Sequence, residues 1–273
     1  MKAAEPSRFT RDRIAALVEC ALRESGALGI LPTPLDAVTA TAALELVEAP
    51  GLRPDVLGAI WFEERTLFVN AGQSGPRRRF TQAHEIVHTL CGWHYAALRE
   101  DTEASLFGPA RDAIEVEANA GAAMLIFQAG AFRERAAELP CTLASVRLLA
   151  KTFGASLHAT LHHYVQSHPR PVAMLTVGRF PRKDATLPVW RRVESPSFHA
   201  ASANALGSLS LGLVPGTRLR ALVEDARTAN GVTAVLGDGP LHLEAEAQYN
   251  RHSFLVLVRP AGSLAGSLRS AAA

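Results

Sequence analysis

A chain of 273 residues has room for one full hydrophobic core and a second, smaller domain, and its 48% hydrophobic and 20% charged content argues for an ordinary soluble globular protein. A net charge of +2 makes no demand for a polyanionic partner. No run approaches the ~18 uninterrupted apolar residues that span a membrane, and the charged N-terminal stretch lacks a signal-peptide core, so a cytoplasmic protein with no membrane partner is expected. The three cysteines, Cys20, Cys91 and Cys141, have no CxxC spacing and leave an odd number, which argues against a disulfide framework.

Arg11 to Ser25 places Ile14, Leu17, Val18, Ala21 and Leu22 at helical spacing and ends at Gly26. Thr33-Pro34-Leu35-Asp36 reads as the start of another helix, with Thr33 as N-cap, Pro34 at N1 and Asp36 in the first turn. Two short apolar runs, Gly58 to Phe62 and Thr66 to Asn70, flank Glu63-Glu64-Arg65 and predict a β-hairpin. The second run is the expected edge for pairing with an extended substrate, with a plain sheet strand as the alternative. Arg77-Arg78-Arg79 follows a glycine-containing loop, either steering an acidic segment or forming a solvated charge run.

The stretch Phe80 to Leu90 contains His84-Glu85-Ile86-Val87-His88 within an apolar helical pattern free of proline. Histidines four apart project from nearly one side of a helix and can share a metal, while a glutamate about 100° round the wheel reaches a water on that metal. This is the His-Glu-x-x-His pattern of a zinc hydrolase; a helix with two ordinary histidines and a surface glutamate is the bland alternative. A third ligand must come from elsewhere. The predicted helix Asp112 to Leu125 offers Glu115, with Asn119 four residues on as a partner to orient one histidine. Glu117 lies about 200° from Glu115 and is the weaker choice. A capping box, Asp112 as N-cap and Glu115 at N3, competes with the ligand role. Ala118, Gly121 and Ala122 would let this helix approach the first closely. Between them, Gly92 to Pro109 reads as a long irregular loop in which His94 and Tyr95 are candidate oxyanion donors. Cys91 reads better as a small buried hydrophobe than as a group facing the metal.

Leu143 to Val165 has helix-turn-helix spacing around Ala150 and Gly154, but Ser156 to Tyr164, the would-be recognition helix, contains no arginine or lysine, so direct DNA binding is not expected. His158, His162, His163 and His168 lack a carboxylate or cysteine partner and read as a polar helix face. Pro169-Arg170-Pro171 marks a domain boundary. Beyond it, Val172 to Val177, Val189 to Val193, Val232 to Leu236, Leu241 to Ala247 and Phe254 to Val258 have strand character, and Leu219 to Ala229 reads as a helix. The expected organisation is a zinc-peptidase domain over 1–130, a helix-turn-helix-like segment over 131–168, an α+β module over 171–262 and a disordered tail over 263–273.

His84-Glu85-Ile86-Val87-His88 followed by Glu115-Val116-Glu117-Ala118-Asn119 resembles the ImmA/IrrE family of bacterial metallopeptidases, over roughly residues 60 to 125. The resemblance implies that His84, His88 and Glu115 bind zinc and that Glu85 is the base, with Mn or Fe able to occupy the same donors. It implies a site-specific endopeptidase whose partner is a helix-turn-helix repressor of the XRE type, cut to switch on a radiation and desiccation DNA-damage response. It also implies a GAF-like C-terminal sensor domain, with a small-molecule signal as its ligand. The fold class expected is therefore α+β: a mainly helical peptidase domain with a small sheet, the helix-turn-helix-like segment, and the GAF-like module. The rival reading is a DNA-binding transcriptional regulator with a vestigial peptidase site.

Overall fold

The computed structural model describes residues 6–53, 55–73, 75–99, 109–201, 212–228, 232–236 and 243–261. The chain is α+β and divides into two compact units, Met1–Phe132 with Lys151–Ser156, and Arg133–Ala150 with Leu157–Ala273.

In the first unit, α1 (Arg8–Glu24) is capped by Ser7, whose hydroxyl accepts from the Thr10 amide, and it buries Ile14, Val18, Ala21 and Leu22. α2 (Leu35–Thr41) has no side-chain cap. Thr33 is fully buried and its hydroxyl donates instead to the Leu125 carbonyl at 2.8 Å, because a buried hydroxyl must find an acceptor where the interior offers one. Three strands form a small sheet in the order β1-β3-β2. β1 (Glu45–Ala49) runs parallel to β3 (Thr66–Asn70), and β2 (Gly58–Trp61) is antiparallel to it. The hairpin expected from sequence is there, but Thr66 to Asn70 is the central strand. Both of its backbone edges are used by neighbours, so it cannot accept a further chain; β2 is the edge on that side.

α3 (Gly75–Leu90) starts five residues before Phe80 and takes Arg77, Arg78 and Arg79 into its first turns. Arg78 pairs with Glu48 of β1 at 2.7 Å, and Arg79 donates to the Thr33 carbonyl at 2.8 Å. Buried Gln82 ties α3 to α2 by donating to Asp36 at 2.8 Å and Thr39 at 3.1 Å. The stretch expected to be irregular opens instead with a helix, α4 (Gly92–Arg99); residues 100–108 lie outside the described residues. α5 (Pro109–Phe127) starts three residues before Asp112, which puts Glu115 a full turn too deep for a capping box. A Cβ on Gly121 would sit 2.6 Å from Val87 Cγ1 and 3.0 Å from Ile14 Cγ2, so α5 meets α3 and α1 there with no room for a side chain. Gln128 (φ 43°) ends α5, and its buried amide accepts from the Gly29 amide at 2.7 Å and donates to the Thr33 hydroxyl at 3.0 Å.

α6 (Ala129–Ala137) follows, then α7 (Leu143–Phe153), a turn at Gly154 (φ 62°) and α8 (Leu157–Ser167). The second unit is built on an antiparallel sheet in the order β5-β4-β8-β7-β6, from β4 (Ala173–Gly178), β5 (Val189–Glu194), β6 (Val232–Leu236), β7 (Leu243–Tyr249) and β8 (Ser253–Pro260). The helices α9 (Pro196–Ala201) and α10 (Arg218–Asp225) complete it; α9 had no expectation in the sequence. Leu219, Leu222 and Val223 of α10 join Leu175, Val177, Ala245 and Val256 in one core. Within this unit α8 packs on β4 and β5, where His158 and Thr176 share a 3.2 Å hydrogen bond. Arg259 is buried between Glu246 at 2.8 Å and Glu244 at 3.2 Å, and Glu246 also accepts the Leu143 amide at the start of α7 at 2.7 Å. Among the described residues no helix is long and apolar enough to cross a membrane. The expected tail lies outside the described residues.

Candidate metal centre

α3 carries His84 and His88 on one side, and α5 crosses it closely enough at Gly121 for Glu115 to reach them. The distance from His84 Nε2 to His88 Nε2 is 3.0 Å, from His84 Nε2 to Glu115 Oε2 3.1 Å, and from His88 Nε2 to Glu115 Oε1 3.9 Å. The ligand atoms of the three residues lie within 4.8 Å of one another. Ligands about 2.0–2.1 Å from a tetrahedral zinc stand about 3.3 Å apart, so the spacing and the N, N, O donor set both fit that ion. His84 Nδ1, on the far side of the ring, donates to Asn119 Oδ1 at 3.2 Å. The lone pair is thereby left on Nε2, facing the other two donors.

Glu85 is on the same helix, 8% exposed, and lines a cleft of about 520 Å³ together with the three donors. Burial pushes its carboxyl up to about 7, against the pull of His84 and with a contribution from Glu115. The histidine moves upward too: burial opposes its charge, but the Glu115 hydrogen bond and the charges of Glu85 and Glu115 outweigh it. The opposite wall is β2 and the turn after it, Gly58 to Glu63. At Gly58 a Cβ would stand 2.5 Å from Thr81 Cγ2 and 2.9 Å from Glu85 Oε1, so the strand backbone lies directly against the carboxylate. From α4, Tyr95 and Leu98 close the cleft. The Tyr95 hydroxyl donates to Glu63 at 3.2 Å, and its ring meets Phe62 edge-on at 5.0 Å.

Of the two residues expected as oxyanion donors, Tyr95 lines the cleft and His94 does not. His94 is fully buried on the far side of His88, with Nδ1 3.0 Å from His88 Nδ1, and its Nε2 donates to Glu117 at 3.0 Å. Burial lowers its pKa despite that carboxylate, which keeps the ring neutral near pH 7. Glu117 points away from the metal donors, as its angle on the helix implied, and also accepts from Trp93 Nε1 at 2.7 Å. Cys91 is a buried thiol, pushed up to about 12 by burial and next by Glu117, as its reading as a small hydrophobe required. His158, His162, His163 and His168 form no metal-type cluster; among the described residues His84, His88 and Glu115 are the one such group. The roles of Gly58 and of the buried His94 depend on where the chain turns after β2 and α3, which no local pattern in the sequence specified.

Two imidazoles and one carboxylate beside a buried glutamate in an open cleft suit a metal-dependent hydrolase. Residues 45–164 match the peptidase M78 family, described as the IrrE N-terminal-like domain, and the matched stretch contains His84, Glu85, His88 and Glu115. Among solved structures, a Mycobacterium tuberculosis transcriptional regulator is similar in fold over 92% of this chain and 80% of its own, with a TM-score of 0.57 and 17% identity. No curated protein matches the chain.

Proposed function

We propose that the chain is a zinc-dependent, site-specific endopeptidase that cuts an XRE-type helix-turn-helix repressor in the cytoplasm and thereby releases a radiation and desiccation response. The observation that carries this reading is the convergence of three metal-type donors within 4.8 Å in a cleft that also holds Glu85. His84, His88 and Glu115 would hold the ion, and zinc there would supply Lewis acidity to a water and to the scissile carbonyl. Glu85, buried beside the donors, would take the proton of the attacking water and pass it to the departing amine. β2, rather than β3, is the strand with an edge for an extended substrate: it is the outer strand of its sheet and lines the cleft. Tyr95 lines the cleft, and release of its hydrogen bond to Glu63 would let its hydroxyl donate to the developing oxyanion.

The α+β module of the second unit, with its antiparallel sheet, supports a GAF-like sensor reading, and the neighbour described as a transcriptional regulator supports a regulatory role. The DNA-reader alternative is weakened by α8, whose Thr160, Leu161, Tyr164 and Val165 are buried and whose His158 bonds to the sheet. The test is to incubate zinc-loaded wild type and Glu85→Gln with a repressor of this type from the same genome and to map fragments by mass spectrometry. A single cut by the wild type alone is expected, with zinc content equal in both proteins. Cleavage by Glu85→Gln removes the assigned base; no cleavage by zinc-loaded wild type removes the peptidase reading.

A further inference from the structure

We propose that His94 and Glu117 are positioning residues for the metal: a buried relay, Glu117 to His94 to His88, that holds the second zinc histidine in the one tautomer able to bind. The inference rests on the metal reading above and adds to it a second layer of residues outside the donor set.

The relay begins in the sequence break after α3. The chain leaves that helix at Leu90, the His94 amide donates to the Cys91 carbonyl at 2.7 Å, and the start of α4 carries Trp93 and His94 back beneath His88. His88 Nδ1 and His94 Nδ1 then face each other at 3.0 Å, and His94 Nε2 faces Glu117 Oε2 at 3.0 Å. The side chains are 4%, 0% and 15% exposed in the order His88, His94, Glu117, so water competes little at the first two.

The hydrogens of this chain can be assigned from its ends. A metal takes the lone pair of His88 Nε2, which requires the ring hydrogen on Nδ1. That hydrogen needs an acceptor, and the atom in front of it is His94 Nδ1. His94 can accept there only if its own hydrogen is on Nε2, and Nε2 faces a carboxylate, which only accepts. The steps form one self-consistent assignment, and the last group supplies the negative charge that makes His88 a better donor. Glu117 is itself fixed, because Trp93 donates to the same oxygen at 2.7 Å and the Arg13 guanidinium lies over the Trp93 ring at 4.3 Å. The two metal histidines are thus oriented by different means. His84 leans on a neutral amide, Asn119, at the open side, while His88 leans on a buried charge at one remove.

The measurement is zinc affinity of the full chain by competition with a chromophoric chelator, alongside thermal melting of the metal-free proteins. His94→Phe fills the volume without an acceptor and is expected to weaken zinc 10- to 100-fold. His94→Gln restores an acceptor for the His88 hydrogen and is expected to bind within a few-fold of wild type. Glu117→Gln keeps shape and removes charge, with about a tenfold loss expected; it reads the same relay if His94→Phe does not fold. Wild-type affinity in Glu117→Gln, or equal losses in His94→Phe and His94→Gln, overturns the relay. Failure of the metal reading looks different: wild type and His84→Ala then bind zinc equally poorly.

Discussion

Each unit holds a polar cluster, and the two clusters close in opposite ways. In the second unit Arg259, 1% exposed, stands between Glu244 and Glu246, and the extra negative charge is met by the N-terminal amide of α7. Cation, anions and helix end meet within the protein, although Arg259 Nε and Glu244 Oε2 make no hydrogen bond. In the first unit His84, His88 and Glu115 turn lone pairs toward one another, and Asn119 and His94 hold the hydrogens on the far sides of the two rings. On the proposed reading a cation from outside completes that cluster. A buried charge that is balanced internally marks a structural joint, while convergent acceptors marked by outward-held hydrogens mark a site.

The largest effect that tests this contrast is on the joint. Arg259→Leu leaves the buried Glu246 and the partly buried Glu244 without their cation and is expected to cost about 3–5 kcal/mol of stability, read by urea unfolding, because the broken half of a buried pair stays uncompensated. Zinc bound by the first unit should be unchanged in whatever fraction remains folded. Loss of zinc affinity at unchanged stability would reverse the assignment of joint and site.

The site has the opposite stability signature. Burial raises the Glu85 carboxyl from 4.5 to about 7, so the metal-free folded protein holds a proton that the unfolded chain has released. This group's contribution is therefore fully present below pH 4.5, falls as pH rises towards 7, and is constant above that. Glu85→Gln removes the penalty, so the metal-free variant should be more stable than wild type by up to about 3 kcal/mol at pH 8 and equal to it near pH 4. Equal stability at both pH values would show that Glu85 is not held in a desolvated position.

The sequence made the donors visible because helical spacing is local: His84 and His88 share a face by arithmetic, and Glu115 with Asn119 repeats that arithmetic on a second helix. The close helix crossing was legible as well, in Gly121 and its alanines. What spacing could not reach were relations set by the chain's turns. Glu45 and Glu48 masked β1, which left β3 to be taken for an edge. The break at Cys91 was read as the start of a loop, so His94 was assigned to the cleft when α4 carries it behind His88. The arginine run was read as preceding the helix, whereas α3 takes it into its first turns, where Glu48 and the Thr33 carbonyl supply the counterbalance that three cations there require.

A smaller change probes the wall of the cleft. Gly58→Ala sets a methyl 2.9 Å from Glu85 Oε1 and 2.5 Å from Thr81 Cγ2, and the carboxylate must move. The expected result is a 10- to 100-fold fall in kcat with zinc affinity retained, since a displacement of under about 1 Å at a proton-transferring group costs that much while the ligands stay in place. Full activity would mean that the strand, rather than the base, absorbs the strain.

The smallest effect is expected at Arg78, whose 2.7 Å pair with Glu48 is largely solvated, Glu48 being 60% exposed. Exposed pairs contribute at most about 1 kcal/mol, and a cation in the first turn of α3 works against the helix dipole, so Arg78→Ala should change stability by less than about 0.5 kcal/mol. Cleavage should be unaffected, because the side chain is committed to β1 rather than aimed at the cleft. A tenfold fall in kcat/KM that disappears at high salt would instead show that the run steers an acidic segment of the substrate, since long-range attraction is screened and a lost local contact is not. That outcome would make the positive face of α3 part of the site and move the boundary between structural and functional charge within the first unit.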